Sequence, residues 1–434
     1  MTELVNTPDN DTGNVTLTPV DSKTKLIVAA GVGNFLEIFD FTVYSFFAGI
    51  IGHVFFNSED KLISLLISVS VFGVGFVMRP LGSIVIGAYA DRHGRKDAML
   101  LTIILMAIGS ALIAFAPPYQ AIGIFAPLLI VMGRLCQGFS AGGEIGAATT
   151  LLMESAERNK RGFFVSWQFF GQGLSTLCGS LLAALLMSRL SNEAMESWGW
   201  RVPFILSLLI IPVGLYIRAH INETHKAPTV EAHTIHPFKE LISQHTKQMI
   251  AGIFVIFPGT VMMYVLVFFM PSYLKTVTDI GSSEAFLVSS YASVIVIVVT
   301  VFSGFLCDRL ERRKRTAINT LIIIFISSYF AFHFVQNIRV FLAFYTVAVI
   351  GMSIVFTLCV LFIIEAFEKR IRATATSVIY AFSVSIFGGT AQMIVTFLLK
   401  ISDSNIMAPF WYLGVSLVLG GVAYLAFDEK RHEI

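Results

Sequence analysis

Charge is what this sequence has least of. Only 13% of its 434 residues are charged and 56% are hydrophobic, with a mean hydropathy of +0.78, whereas a soluble domain carries about 25% charged residues. A water-soluble fold is excluded. Cysteine is scarce too: Cys136, Cys178, Cys307 and Cys359 fall singly within or at the ends of apolar segments, with no CxxC spacing. Neither disulfides nor a metal site are expected. The patterns GxxxxGK[ST] and HExxH are absent, so neither a phosphate-binding loop nor a zinc-hydrolase helix points to an enzyme or a bound cofactor. A net charge of +2 is too balanced to argue for nucleic acid. The first 22 residues hold Glu3, Asp9, Asp11 and Asp21 but no Lys or Arg, the reverse of a secretory leader, and read as a short tail.

Long apolar runs fill the rest. Breaks at charged, Pro, Gly and Asn positions predict helices near 26–50, 62–89, 98–116, 122–151, 162–188 and 201–220, then 247–271, 284–307, 316–334, 340–364, 373–399 and 408–427. Each is long enough to span a bilayer. The expected fold is therefore an all-α membrane protein of twelve transmembrane helices in two six-helix, pseudo-symmetric bundles. Residues 1–25 form an N-terminal tail, 26–220 and 247–427 the bundles, 221–246 a central loop and 428–434 a C-terminal tail. His220, His225, His233, His236 and His245 crowd that loop in no zinc-binding spacing and read as solvated. Basic residues cluster in alternate joints, for example Arg92, Arg95 and Lys96, or Arg312, Arg313, Lys314 and Arg315. The positive-inside rule then places both termini and the central loop in the cytoplasm.

The halves echo each other. Gly87-Ala-Tyr-Ala-Asp91-Arg92 recurs as Gly304-Phe-Leu-Cys-Asp308-Arg309, 217 residues on, and Glu154 with Arg161 matches Glu365 with Arg372. A six-helix repeat with a site near the midplane, between halves that rock against each other, is a transporter's build.

Ionisable groups at membrane depth cost at least about 2.5–3.5 kcal/mol each and mark function by default. Five fall there: Glu37, Asp40, Arg79, Arg134 and Glu144, all in the first half. Asn34, Glu37, Asp40 and Tyr44 are spaced three, three and four apart, which puts them on one helical stripe. Arg134 and Gln137 repeat the idea on the fourth helix, and Gln168 and Gln172 on the fifth. Glu37, Asp40, Arg79 and Arg134 are the candidates for proton coupling; Asn34, Tyr44, Arg134, Gln137, Gln168 and Gln172 are those for an anionic substrate. A fixed ion pair holding helices together is the bland alternative for the charges, and interhelical hydrogen bonding for the glutamines. Gly138, Gly142 and Gly146 at four-residue spacing read as a packing ribbon.

Gly87-Ala-Tyr-Ala-Asp91-Arg92-His-Gly94-Arg95-Lys96 resembles the signature loop of the major facilitator superfamily. Gly33-Asn34-Phe-Leu-Glu37-Ile-Phe-Asp40-Phe41, Met78-Arg79-Pro80-Leu-Gly82 and Gly133-Arg134-Leu-Cys-Gln137-Gly138-Phe-Ser-Ala-Gly142-Gly143-Glu144 are similar to its metabolite:H+ symporter family, as is Trp198-Gly-Trp-Arg201-Val-Pro203. That resemblance implies proton-coupled symport by alternating access in a bacterial inner membrane. It implies a small organic acid as cargo, with protons and the lipid bilayer as partners and no obligatory protein partner. Phe-Leu-Glu37 and Gln137-Gly-Phe-Ser-Ala-Gly142 lean toward citrate or a related tricarboxylate; Gly143-Glu144 leans toward α-ketoglutarate and proline/betaine carriers, and shikimate carriers belong to the family too. The resemblance also implies a cytoplasmic gate of Gly87, Asp91, Arg92, Gly94, Arg95, Glu154, Arg161, Asp308, Arg309, Glu365 and Arg372. An exporter or a membrane sensor is a more remote reading.

Overall fold

The computed structural model describes residues 19–56, 60–93, 95–142, 156–157, 160–209, 211–212, 237–310 and 312–427. Among them every regular element is a helix, with no strand. Helix α1 runs Pro19–Phe55, α2 Lys61–His93, α3 Arg95–Ala114, α4 Phe125–Ala141, α5 Arg161–Arg189 and α6 Val202–Ser207. After an amphipathic helix of eight residues at Pro237–Gln244 come α7 (Thr246–Met262), α8 (Ser282–Arg309), α9 (Arg313–His333), α10 (Ile338–Ala366), α11 (Lys369–Ser383) and α12 (Ala408–Ala426). Two of these continue through π-helical turns. Met263–Phe268 and then Met270–Val277 extend α7, while Val384–Gly388 and then Gly389–Ile401 extend α11.

Nine helical segments among the described residues are long and apolar enough to cross a membrane; Leu100–Ala114 and Phe125–Ala141 are apolar but shorter. The expected fourth segment is described only to Gly142, and the sixth only to 209 and at 211–212, so the remainder of each lies outside the described residues. The bundle is apolar outside as well as inside. Val77, Phe302 and Leu425 are 69%, 70% and 66% exposed, an arrangement that water penalises and hydrocarbon does not.

Two helix pairs join the halves. Along its length α5 packs on α8, and α2 packs on α11 and its π turn. Glycine makes both crossings close. A Cβ on Gly162 would stand 2.6 Å from the Gly304 carbonyl, and one on Gly73 2.6 Å from the Gly389 carbonyl, so the backbones meet where no larger residue fits. At the end where α1 finishes and α2 begins, the Lys400 ammonium donates to the Asp60 carboxylate. Asp60 also accepts from the Leu62 and Ile63 amides at 2.8 and 3.2 Å, capping α2. The Lys400 hydrogen bond is the main reason the Asp60 carboxyl is held below its ordinary value.

Candidate functional site

The polar stripe on α1 turns inward. Glu37, Asp40 and Tyr44 are 3%, 1% and 0% exposed, and the helices around them are drawn close by absent side chains. A Cβ on Gly138 of α4 would lie 1.6 Å from the Gly75 carbonyl of α2, and that contact sets Arg79 and Arg134 beside one stretch of α1. On the other side of α4, Gly133 meets Gly109 of α3, where a Cβ on either would fall within 2.8 Å of the other's carbonyl. This crossing puts Ser110 against Gln137. The packing reading of the glycine ribbon holds for Gly138 and Gly142; Gly146 lies outside the described residues.

A continuous polar chain results. The Arg134 guanidinium donates through Nη1 to Gln137 Oε1 at 2.7 Å; Gln137 Nε2 donates to Ser110 Oγ at 3.1 Å; Ser110 Oγ donates to Asp40 Oδ2 at 2.7 Å. All four side chains are at most 1% exposed. In such surroundings each bond counts for more than it would in water, and each unmade one costs more. Asp40 Oδ1 and Arg134 Nε have no hydrogen-bond partner. Arg79 Nη2 approaches Glu37 Oε1 at 3.9 Å, near enough to balance charge but too far to share a proton. The two arginines are separated by a ring: Phe41 lies 4.4 Å from the Arg79 guanidinium and 4.5 Å from that of Arg134. Phe76 covers Arg79 at 4.3 Å, and Tyr44 and Phe72 cover Arg134 at 4.7 and 4.9 Å. Cation–π contacts of this kind contribute about 0.5–2 kcal/mol each where water is excluded.

Sequence reasoning chose the charges and missed what seats them. Ser110 is one hydroxyl in an apolar helix, and Phe41, Phe72 and Phe76 are indistinguishable in sequence from lipid-facing phenylalanines. Only the four-residue step from Glu37 to Phe41 marked that ring as sharing the stripe. Gln168 is 1% exposed and Gln172 4%. The side chain of Asn34 and the whole of Glu144 lie outside the described residues.

The narrow cavities sit between the halves. One of about 20 Å³ is bordered by Ile38, Arg79 and Gln172 from the first half and by Thr260, Tyr264 and Tyr380 among others from the second. A smaller one of about 10 Å³ adjoins it at Gln172 and Phe356. Arg79 therefore faces the gap, whereas Arg134 is enclosed behind Phe41, Tyr44 and Phe72. A wider cavity of about 700 Å³ lies within the second half, among α8, α10 and the ends of α7 and α9, with none of the candidate residues on its wall.

At the face where α5 begins and α8 ends, Asp308 crosses between halves. Its Oδ1 accepts from the Gly162 amide at 2.7 Å and its Oδ2 from the Phe163 amide at 3.0 Å, so a carboxylate of one half caps a helix of the other. Glu365 is ion-paired with Arg313 at 2.5 Å, a partner the repeat did not point to. Arg372 Nε donates to the Ile364 and Phe367 carbonyls at 2.9 and 3.1 Å. Arg161 begins α5 and Arg309 is exposed at the end of α8. The side chains of Asp91, Arg92 and Arg95, the surroundings of Gly87, and all of Gly94 and Glu154 lie outside the described residues.

A lipid-facing helical bundle with a dry, charged centre between two halves is the build of a membrane transporter. Residues 30–391 match the family model described as Major Facilitator Superfamily, and the chain belongs to that family. It is 32% identical over 385 residues to the citrate-proton symporter of Klebsiella pneumoniae, covering 87% of this chain and 86% of the relative. To the alpha-ketoglutarate permease of Escherichia coli it is 31% identical over 433 residues, 96% of this chain and 97% of the relative. In fold it is similar to a partially occluded inward-open conformation of the E. coli xylose transporter, with a TM-score of 0.76 at 16% identity over 95% of this chain and 100% of that one. The chain is thus a multi-pass membrane transporter of the metabolite:H+ symporter kind, not an enzyme.

Proposed function

We propose that this transporter takes up a small organic acid together with protons, with citrate or a related tricarboxylate as the first candidate substrate. The observation that carries the reading is the buried chain Asp40–Ser110–Gln137–Arg134, set in a relative of citrate-proton symporters. A carboxylate there accepts a proton with no solvent to stabilise either state, and the charge balance of the site changes with it. With Asp40 ionised, Arg134 is balanced through the chain. Protonation of Asp40, or of Glu37 beside Arg79, leaves one guanidinium in excess. An anionic substrate restores the balance, and Arg's planar fork suits its carboxylate. Proton and anion then enter together, because either alone leaves an uncompensated charge in a medium that penalises it.

In this reading the chain forms twelve spanning helices in two six-helix bundles within a bacterial inner membrane, both termini in the cytoplasm. The halves rock about the α2–α11 and α5–α8 seams. Asp308 on the α5 terminus is one element of a cytoplasmic gate; Asp91, Arg92, Arg95, Glu154, Glu365 and Arg372 are proposed as others. Uptake of α-ketoglutarate, shikimate or proline/betaine is the alternative, since relatives of nearly equal identity carry different names.

The test is uptake of radiolabelled citrate into proteoliposomes with an inward proton gradient, with unlabelled tricarballylate, α-ketoglutarate, shikimate, proline and betaine as competitors. Gradient-dependent citrate uptake, lost on collapsing the gradient, is the expected result. Uptake of a different competitor would replace the substrate and leave symport standing, whereas proton-linked efflux would overturn the direction.

A further inference from the structure

From the wall that the second half presents to the site, we infer that Tyr264, Tyr380 and Thr260 are the substrate contacts of that half, and that the cargo is an organic anion rich in oxygen acceptors, not a zwitterion. The inference rests on the symport reading and narrows it. Both tyrosines belong to interrupted helices. Tyr264 lies in the π turn Met263–Phe268, and Tyr380 stands one turn before the π turn Val384–Gly388. Such bulges collect at functional sites because they re-aim side chains that a regular helix would direct elsewhere. Tyr264 packs edge-on against Phe72 and Phe76, at 5.9 and 5.6 Å between ring centres, so the second half reaches the aromatic seat of the arginines. Gly388 makes room for its ring: a Cβ there would stand 2.6 Å from Tyr264 Cε2. The Tyr380 phenol lies beside the Gln172 side chain of the first half.

Thr260 gives an independent pointer. It is 1% exposed, lines the same cavity, and its hydroxyl has no hydrogen-bond partner. Threonines inside helices ordinarily bond the carbonyl one turn back, so this unused hydroxyl is free to bond a water in the cavity as it stands, or a ligand once the halves part and widen it. Arg79 Nε, on the opposite wall, is likewise without a hydrogen-bond partner. A carboxylate on Arg79 would therefore have two phenols and a hydroxyl across from it, all able to donate to a second carboxylate, a hydroxyl or a keto oxygen. Among the described residues that border this cavity none is acidic; Glu37 stands behind it, 3.9 Å from Arg79, so the ammonium of a zwitterion would have to compete with that guanidinium for its counter-ion.

Tyr264→Phe, Tyr380→Phe and Thr260→Val keep the packing and remove the donors, and Tyr424→Phe removes a buried phenol that does not border the cavity. Uptake and calorimetric binding to the solubilised protein are measured with citrate, α-ketoglutarate, shikimate and betaine. Each cavity variant should weaken the anion by about ten- to a hundredfold, the worth of a hydrogen bond to a charged group, with Tyr424→Phe unchanged. Anion uptake with affinity unaltered in all three variants would overturn these contacts and leave symport intact. Uptake of betaine in preference to every anion would overturn the substrate class, again without touching symport. If no compound is taken up but an anion binds and the variants weaken it, the contacts stand and the transport reading falls; no uptake and no binding would overturn both.

Discussion

The two halves of the chain divide the chemistry. In the first, Glu37, Asp40, Arg79 and Arg134 are buried within a few turns of one another. In the second, the described residues that border the central gap are aromatic, aliphatic or hydroxylic. Charge and π-helical irregularity are separated. In the first half, close glycine crossings hold the chain Asp40–Ser110–Gln137–Arg134 at hydrogen-bond distances with little slack. Among the described residues both π turns fall in the second half, while each half has a proline inside a helix, Pro80 in α2 and Pro258 in α7, features that bend helices. In the proposed mechanism the first half takes the proton and the second fits the substrate.

The sharpest way to break that division is to neutralise the acid. Asp40→Asn keeps the shape and the acceptor for Ser110 but cannot take up a proton. Gradient-driven accumulation should vanish while exchange of labelled for unlabelled substrate continues. Retained uphill uptake would move the proton to Glu37, and Glu37→Gln would then show the same loss. Next in size is Arg79→Lys. The ammonium keeps the charge and loses the fork, so apparent affinity should fall about ten- to a hundredfold, with a smaller change in maximal rate. An unchanged affinity would return substrate binding to Arg134.

Gly138→Ala sharpens the claim that the first half's crossings leave little slack. Its new Cβ would stand 1.6 Å from the Gly75 carbonyl, so α2 and α4 must separate at a cost of about 1–3 kcal/mol. A lower melting temperature in detergent and a weakened Arg134–Asp40 network are expected; unaltered stability would show that the crossing has slack. Asp308→Asn exchanges a charged cap on α5 for a neutral one. It should favour opening of that face, read as faster alkylation of a cysteine placed at Phe163, by about threefold to tenfold. The smallest effect belongs to Asp60. Because its folded carboxyl lies below the ordinary value, through the Lys400 bond first and the Ile63 amide next, its contribution is full above that ordinary value. It is lost as pH falls through the lower folded value. Asp60→Asn should therefore lower the melting temperature slightly at neutral pH and bring it level with wild type in strong acid, a difference muted because both partners are more than a third exposed.

Much of this was legible from the chain alone. Hydrocarbon forbids unpaired backbone groups, so long apolar runs had to be helices, and nine of the described segments meet the requirement. The cost of charge in lipid singled out Glu37, Asp40, Arg79 and Arg134 without any coordinates. Glycine at four-residue spacing announced that another backbone approaches α4 closely, though not that α2 is the one. What the residues could not announce was partnership. Arg313, one of four successive basic residues, holds Glu365; Asp308 was marked by the repeat, but its acceptance of two amides on α5 was not. No glycine or proline falls within Met263–Phe268 to signal the π turn there.

Sequence by itself determined that this protein spans a membrane as helices, and marked Glu37, Asp40, Arg79 and Arg134 as ionisable groups among apolar ones, because hydrophobicity and the cost of buried charge are local properties of residues. Only the tertiary structure decided that Asp40 reaches Arg134 through Ser110 and Gln137, that Phe41 parts the two arginines, and that tyrosines of the far half face Arg79. Those depend on how helices distant in the chain cross, and a crossing is fixed by the fit of both partners' surfaces, which neither segment carries alone.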